Sequence, residues 1–324
     1  MSNTTILENS SCENITNFKA SIYPPTYIIV FIFGFIENIF CLYVFLKLYK
    51  KKTAINIVMV NLAISDLLFV CTLPIRVYYY LNKHIWNLPD SLCSVTSYAL
   101  YFNMYCSIYF LTLMSILRYF AIVHPIKCLK YRSVKYAQIM CVSIWVFVGV
   151  AACPFLKNST TLNNENEKKC FELNNDTTNN IMDNVYTMNL ISLVIGCIIP
   201  FLVITVCYAF VVKTLLTSKA KNYKQKHSHR KAITMIVIVM AIFLTSFLPY
   251  HVLRTVYLVT KRMEKTSQAS CFIQKTVVVT LCGAAINSCL DPLLYYFAAE
   301  NFRGKLRNTE KCTSRGSPAR MHQT

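Results

Sequence analysis

Seven apolar runs follow one another along this chain, separated by polar stretches. They lie near 25–47, 54–80, 91–123, 136–156, 184–216, 231–260 and 272–298. Coiled as a helix, an apolar run of about 20 residues matches the thickness of a bilayer's hydrocarbon core. The runs lack the alternation of in-facing and out-facing residues that barrel strands show. In lipid each backbone must satisfy its own hydrogen bonds, so every run reads as a transmembrane helix. Residues 1–24 are polar, and the run after them is a full span rather than a short signal-peptide core. It reads as an uncleaved signal anchor. The two halves do not match, which argues against an inverted-repeat transporter. The expected fold is therefore all-α, a seven-transmembrane helical bundle over 25–299 behind an extracellular tail, 1–24. Residues 300–324 follow as a cytosolic segment. It opens with a short amphipathic helix, about Glu300 to Asn308, with Phe302 and Leu306 toward lipid and Arg303, Lys305 and Arg307 toward headgroups.

Composition supports a bilayer as the solvent. Of the 324 residues, 55% are hydrophobic and only 15% are charged, against about 25% charged in soluble domains. The mean hydropathy is +0.42. A net charge of +19 would alone suggest nucleic acid, but its distribution removes that reading. With the N-terminus outside, 22 of the 33 basic residues fall in cytosolic segments, beside only two acids, Glu300 and Glu310. That is the positive-inside bias, and the basic loops are expected to meet anionic headgroups. Asn3, Asn9, Asn14, Asn158 and Asn175 each open an N-x-S/T sequon, and all five fall in segments assigned outside. The expected location is the plasma membrane, multi-pass, with an extracellular N-terminus, membrane lipids as partners and no nucleic acid.

Most of the 15 cysteines lie in the spans, where they read as small hydrophobes. Cys12, Cys93, Cys170 and Cys271 fall on the oxidising side, and four cysteines allow three pairings. Cys93 opens the third span and Cys170 lies in the long second outer loop, so these two are expected to pair, leaving Cys12 for Cys271. There is no His/Cys spacing for zinc, and no H-E-x-x-H, G-x-S-x-G or Walker loop, so the chain is not expected to be an enzyme.

Ionisable residues within a membrane bundle are costly and point to function. Arg76 follows Pro74 near one end of the second span. Arg254 lies four residues after Tyr250, on one helix face. With Tyr101, His251 and Lys275 these residues line an outward-facing pocket with positive charge, aromatic surface and apolar walls below. That suits a ligand with an anionic head, which arginine holds bidentately, and a lipid tail. The bland alternatives are snorkelling cations and packed aromatic and histidine side chains.

Several motifs run in order through the spans. The second carries Asn61-Leu62-Ala63 and Asp66, and the third runs from Cys93 to Arg118-Tyr119. The fourth has Trp145 and Pro154, the fifth Pro200 and Tyr208. The sixth has Phe243 and Phe247-Leu248-Pro249-Tyr250, the seventh Asp291-Pro292-Leu293-Leu294-Tyr295. On these residues the chain resembles the rhodopsin-like (class A) G-protein-coupled receptors over nearly its whole length. The stretches YKKKTAINIVMVNLAISDLLFVCTLPIRVYYYL, HSHRKAI, FLPYHVLRTVYLVT and DPLLYYFAAENFRGKL are similar to the cysteinyl leukotriene receptors, most of all the type 2 branch, with the purinergic nucleotide receptors as the alternative.

The resemblance implies an anionic lipid or nucleotide ligand, a heterotrimeric G protein with a Gq-type calcium response, and arrestin as a further partner. It implies a polar cluster of Asn38, Asp66, Ser107, Asn287 and Asp291 that holds a sodium ion, the alternative being neutral, hydrogen-bonded carboxyls. Ile108, Pro200, Phe243 and Phe247 match the family's connector between pocket and cytosolic face, and Tyr208 and Tyr295 its swinging tyrosines. Arg118 and Tyr119 match its coupling face. Two departures stand out. Leu117 replaces the acid usual before Arg118, and His229 replaces the usual Glu opposite, so a weaker inactive-state restraint is expected. Glu37 replaces the usual Gly beside Asn38, and either faces lipid or joins the polar cluster.

Overall fold

The computed structural model describes residues 2–48, 53–125, 133–156, 160–162, 168–170, 179–217, 223–263 and 268–298. Among the described residues, seven helical stretches are long and apolar enough to cross a membrane: Ile15–Lys47, Ala54–Leu81, Asp90–Ile122, Val134–Ala152, Met182–Thr217, Ala232–Arg262 and Ser270–Leu294. The helices behind them are α1 (Ser2–Tyr43), α2 (Ala54–Val70), α3 (Leu73–Leu81), α4 (Asp90–Ile122), α5 (Val134–Ala152), α6 (Asn179–Leu193), α7 (Ile199–Thr217), α8 (Tyr223–Ile242), α9 (Leu248–Arg262) and α10 (Gln268–Ala298). A hairpin of β1 (Thr160–Leu162) and β2 (Lys168–Cys170) pairs antiparallel, Thr160 opposite Cys170. The amphipathic stretch 300–308 lies outside the described residues, as do Asn158, Asn175 and the side chains of Asn3, Asn9 and Asn14.

The opening of the chain departs from its sequence reading. Residues 2–24, expected as a tail, continue the first span as helix. Between Ser2 and Tyr23 there is no glycine or proline to stop it. The paired Pro24 and Pro25 sit inside this helix, where they remove backbone donors. Elsewhere the boundaries follow local chemistry. Thr53 caps α2 by accepting from the Asn56 N–H, and Ser133 caps α5 by accepting from Tyr136. The second span breaks after Val70 because Pro74 cannot donate to the carbonyl four residues back.

Three prolines set the geometry of the later spans, each by freeing carbonyls. In the fifth span a π-helical turn, Val194–Ile198, precedes Pro200, and the Ile199 N–H bonds Val194 rather than Ile195. Pro200 has no N–H to continue that register, so the Ile195 carbonyl accepts from Tyr109 of the third span at 2.9 Å. A second π turn, Phe243–Phe247, precedes Pro249 in the sixth span in the same way. In α10, Pro292 leaves the Ser288 carbonyl free, and the Asn38 side-chain amide donates to it at 2.9 Å. The first and seventh spans are thereby tied.

Large apolar side chains such as Ile36, Val150 and Leu202 point out of the bundle, the arrangement a hydrocarbon surround requires. Inside, one core packs Met59, Leu62, Ile108, Leu111, Phe243 and Phe247. A second, toward the hairpin, packs Tyr27, Phe69, Tyr79, Trp86, Cys93 and Cys170. Close approach between the third and fifth spans depends on Gly196: a Cβ there would sit 2.5 Å from the Tyr105 ring. The Gly196→Ala variant is therefore expected to lose about 1–3 kcal/mol of stability by overpacking, read as a lower thermal unfolding midpoint in detergent. An unchanged midpoint would show that Tyr105 moves aside freely.

Candidate ligand site and switch region

The end of the bundle that carries the hairpin is pinned covalently. Cys93, in the first turn of α4, bonds Cys170 of β2, with Cα atoms 5.9 Å apart. The Trp86 N–H donates to the Lys168 carbonyl at 2.8 Å, and the Lys168 ammonium sits 3.1 Å from Asp90. The Cys170 N–H donates to the Tyr79 hydroxyl. The expected pairing of Cys93 with Cys170 is thus present. For Cys12 and Cys271 the structure gives one half: Cys271 is buried, while the Cys12 side chain lies outside those described.

Below this hairpin, at the disulfide end of the spans, lies a cluster of basic and aromatic side chains. Arg254 and Tyr250 share a face of α9, as their spacing requires. The Arg254 guanidinium lies 5.9 Å from the Tyr250 ring centre and 5.8 Å from that of Tyr101 on α4, within the range of cation–π attraction. The Tyr250 hydroxyl donates to that of Tyr101 at 3.4 Å. Tyr105 and Tyr257 are also within electrostatic reach of this arginine. Buried His251 packs edgewise on the Tyr250 ring and at a tilt on that of Tyr105. A half-buried guanidinium is thus ringed by aromatics, with apolar core beneath.

The other two basic residues sit apart from that ring. Arg76 is buried, and its Nη2 donates to the Thr96 carbonyl at 2.8 Å. It lies beside Tyr27, which is also within electrostatic reach of Tyr101. Arg76 and Arg254 therefore flank one aromatic layer. Lys275 departs from the expected constellation: its ammonium lies 5.7 Å from the Phe18 ring, on the extended first helix. Sequence reasoning passed over Tyr105 and Tyr27, because a tyrosine in a span reads first as packing.

In the middle of the bundle, Asn38, Asp66, Ser107, Asn287 and Asp291 are all buried. The Asp66 carboxylate accepts from the Asn103 amide at 2.9 Å, and Asp291 accepts from Asn287 at 3.2 Å. Asn103 also reaches Ser65, and Ser288 donates to Asn103. One oxygen each of Asn38, Ser107 and Asn287 is buried without a hydrogen-bond partner, while the Asp66 and Asp291 carboxyls lie within hydrogen-bond reach of each other. Unsatisfied acceptors of that kind suit a hard cation with oxygen ligands. Asn103, Ser65 and Ser288 were not singled out from sequence, since short polar residues in a span carry no periodic signal. Glu37 is half-buried, and its Oε2 has no hydrogen-bond partner. Among the described residues no three of His, Cys, Asp and Glu converge on one point. Glu37 therefore stands beside the cluster, near Cys41 and Cys289.

Between this cluster and the far end, Ile108, Pro200, Phe243 and Phe247 are buried together in the core. Phe243 packs on Phe201 at 5.3 Å and edgewise on Phe247 at 5.8 Å. Further along, the Tyr208 hydroxyl accepts from Ser115 at 2.7 Å, and Tyr119 contacts His124 and Phe210. Arg118 Nη2 donates to the sulfur of Met235 at 2.8 Å. The Tyr295 side chain lies outside those described.

A membrane bundle with a disulfide-capped cluster of aromatic and basic side chains, a buried polar middle and an arginine at the opposite end has the plan of a seven-helix receptor. The description "7 transmembrane receptor (rhodopsin family)" matches residues 37–295, and the chain belongs to that family. It is a receptor and not an enzyme, and a multi-pass membrane protein. Among its relatives, the human protein named cysteinyl leukotriene receptor 1 is 44% identical over 310 residues, covering 95% of this chain and 91% of the relative. The Sus scrofa cysteinyl leukotriene receptor 2 is 44% identical over 300 residues, covering 93% and 84%. The human uracil nucleotide/cysteinyl leukotriene receptor is 33% identical over 312 residues, covering 95% and 82%. Identity to the type 1 and type 2 relatives is equal, so it does not favour the type 2 branch to which the motifs lean.

Proposed function

We propose that this chain is a plasma-membrane receptor for anionic lipid mediators of the cysteinyl leukotriene class, signalling through a heterotrimeric G protein of the calcium-mobilising Gq type. The disulfide end, with the N-terminus, faces outward. The observation that carries the reading is the Arg254 guanidinium between the Tyr101 and Tyr250 rings, above an apolar core. Such a site offers a fork of donors to a carboxylate and an apolar bed to a hydrocarbon tail. The names of the relatives at 44% identity support the same class. A nucleotide is the alternative ligand, and the relative whose name includes one is more distant. Intracellular calcium in cells expressing the chain, challenged with cysteinyl leukotrienes and with a nucleotide panel, separates the two. A nanomolar leukotriene response is expected. A response to nucleotides alone would move the chain to the other ligand class while leaving the pocket intact.

The polar cluster is proposed to hold a sodium ion through Asp66, Ser107 and the amide oxygens of Asn38 and Asn287, with Asn103 orienting Asp66. Bound there, the ion would supply compensating charge to two carboxylates and favour the inactive packing. Agonist affinity is expected to be a fewfold lower in sodium chloride than in choline chloride at equal ionic strength. The Asp66→Asn receptor should lose that difference, and its persistence would argue against the site. Cys12 and Cys271 are proposed to form a second disulfide, which peptide mapping without reduction would reveal. Arrestin is a proposed further partner, tested by its recruitment to the activated receptor.

A further inference from the structure

The cytosolic end of the third span lacks the usual acid beside its arginine, since Leu117 is buried there, and His229 stands on α8 just before the sixth span. Arg118 is nevertheless tied to the sixth span, through Nη2 to the Met235 sulfur at 2.8 Å. Met235 is itself buried, in the core that packs Met114, Leu117, Tyr208 and Val239. One turn before Arg118, Ser115 donates to Tyr208 of the fifth span, so the third span is held to both neighbours within four residues. Beside them Val211, Leu215 and Ala232 form a small cluster with Tyr119, Ile122, Val123 and Ile236. Opening a G-protein site between these spans requires Arg118 to leave the sixth.

We infer that Met235 is the positioning residue that holds Arg118 in the resting receptor, with a thioether doing what a carboxylate would do elsewhere. This rests on the reading of the chain as a G-protein-coupled receptor. A thioether is a weak acceptor, far weaker than an ion pair with a buried carboxylate. This contact therefore restrains the resting state lightly, and its own strength depends on the acceptor that position 235 offers. Volume and acceptor strength can be varied separately there. Met235→Leu keeps the bulk and removes the acceptor. Met235→Gln keeps the length and offers a stronger acceptor.

The experiment measures agonist-free nucleotide exchange on purified G protein by full-length receptor in nanodiscs, normalised to receptor number. In parallel, the distance between labels introduced at the exposed positions Lys135 and Arg230 is measured without G protein. Met235→Leu is expected to raise basal exchange about three- to tenfold, the ratio that follows from losing one hydrogen bond of ordinary strength, as suits a weak thioether acceptor. The label distances should shift toward the longer population. Met235→Gln should leave both at or below the wild-type values. Two results would overturn the inference: Leu without effect on either readout, or Leu and Gln raising both alike, which marks packing alone. If the wild-type chain couples to no G protein with any agonist, the functional reading fails, while the label distances still decide the role of Met235.

Discussion

Arg254→Ala is expected to lower leukotriene potency by about 30- to 1,000-fold, with receptor number at the cell surface preserved. The guanidinium is half-buried among Tyr101, Tyr250, Tyr105 and Tyr257. A carboxylate entering that ring gives up water and receives a charge-assisted fork in return. Truncation leaves the carboxylate desolvated and unpaired, which costs about 2–4 kcal/mol, or one decade of affinity per 1.4 kcal/mol. Surface number should hold because the Arg254 guanidinium packs on the Tyr101 and Tyr250 rings. Arg254→Lys keeps the charge without the planar fork, so an intermediate loss is expected. Tyr250→Phe gives up only a 3.4 Å hydroxyl contact and should cost less than threefold. Arg76→Ala is expected to lose tenfold or more in potency, but with lower surface number, because its Nη2 also ties the second span to Thr96 of the third. Radioligand displacement with flow cytometry separates the two kinds of loss. Unchanged affinity in Arg254→Ala would remove this arginine from the ligand site.

The spans were legible because lipid imposes length and apolarity on every crossing segment, and those are linear properties of sequence. The disulfide was legible because four cysteines on one side of the bilayer leave three pairings, and Cys93 at the head of the third span with Cys170 in the long second outer loop selects one of them. The Arg254–Tyr250 face followed from helical spacing alone. What sequence could not give was direction across the bundle. Lys275 reads from sequence either as a ligand contact or as a snorkelling cation, and it lies over Phe18. It does so because the first helix continues back past Pro24 and brings that ring to the seventh span. Asn103 was invisible for a related reason: its role depends on the Asp66 carboxylate lying 2.9 Å away on another helix. The π turns before Pro200 and Pro249 also lay beyond pattern reading, since proline predicts a freed carbonyl but not the register that the helix adopts around it.

Cys93→Ser and Cys170→Ser are each expected to abolish high-affinity binding and cut surface expression severely. The bond closes a loop of sequence separation 77, and chain-entropy estimates for a loop of that size give about 4.5 kcal/mol. Much of that loop is helix already inserted in the membrane, so the figure is an upper bound. Freed from Cys93, β2 can no longer hold the Lys168 carbonyl against Trp86 or the Cys170 amide against Tyr79. Tyr79 packs on Trp86 and Tyr80, and Tyr80 packs on Tyr23 and Tyr27, beside Arg76. Loosening the hairpin therefore reaches the aromatic layer that Arg76 and Arg254 flank. The double variant Cys93→Ser/Cys170→Ser should match the single ones, since either change removes the same bond and a double-mutant cycle reads full coupling. Mild reduction of intact cells should lower wild-type affinity in the same direction and leave the double variant unaffected. Saturation binding on cells, with and without reductant, checks all three, and a double variant that still binds with wild-type affinity would show that the pocket keeps its shape without this staple.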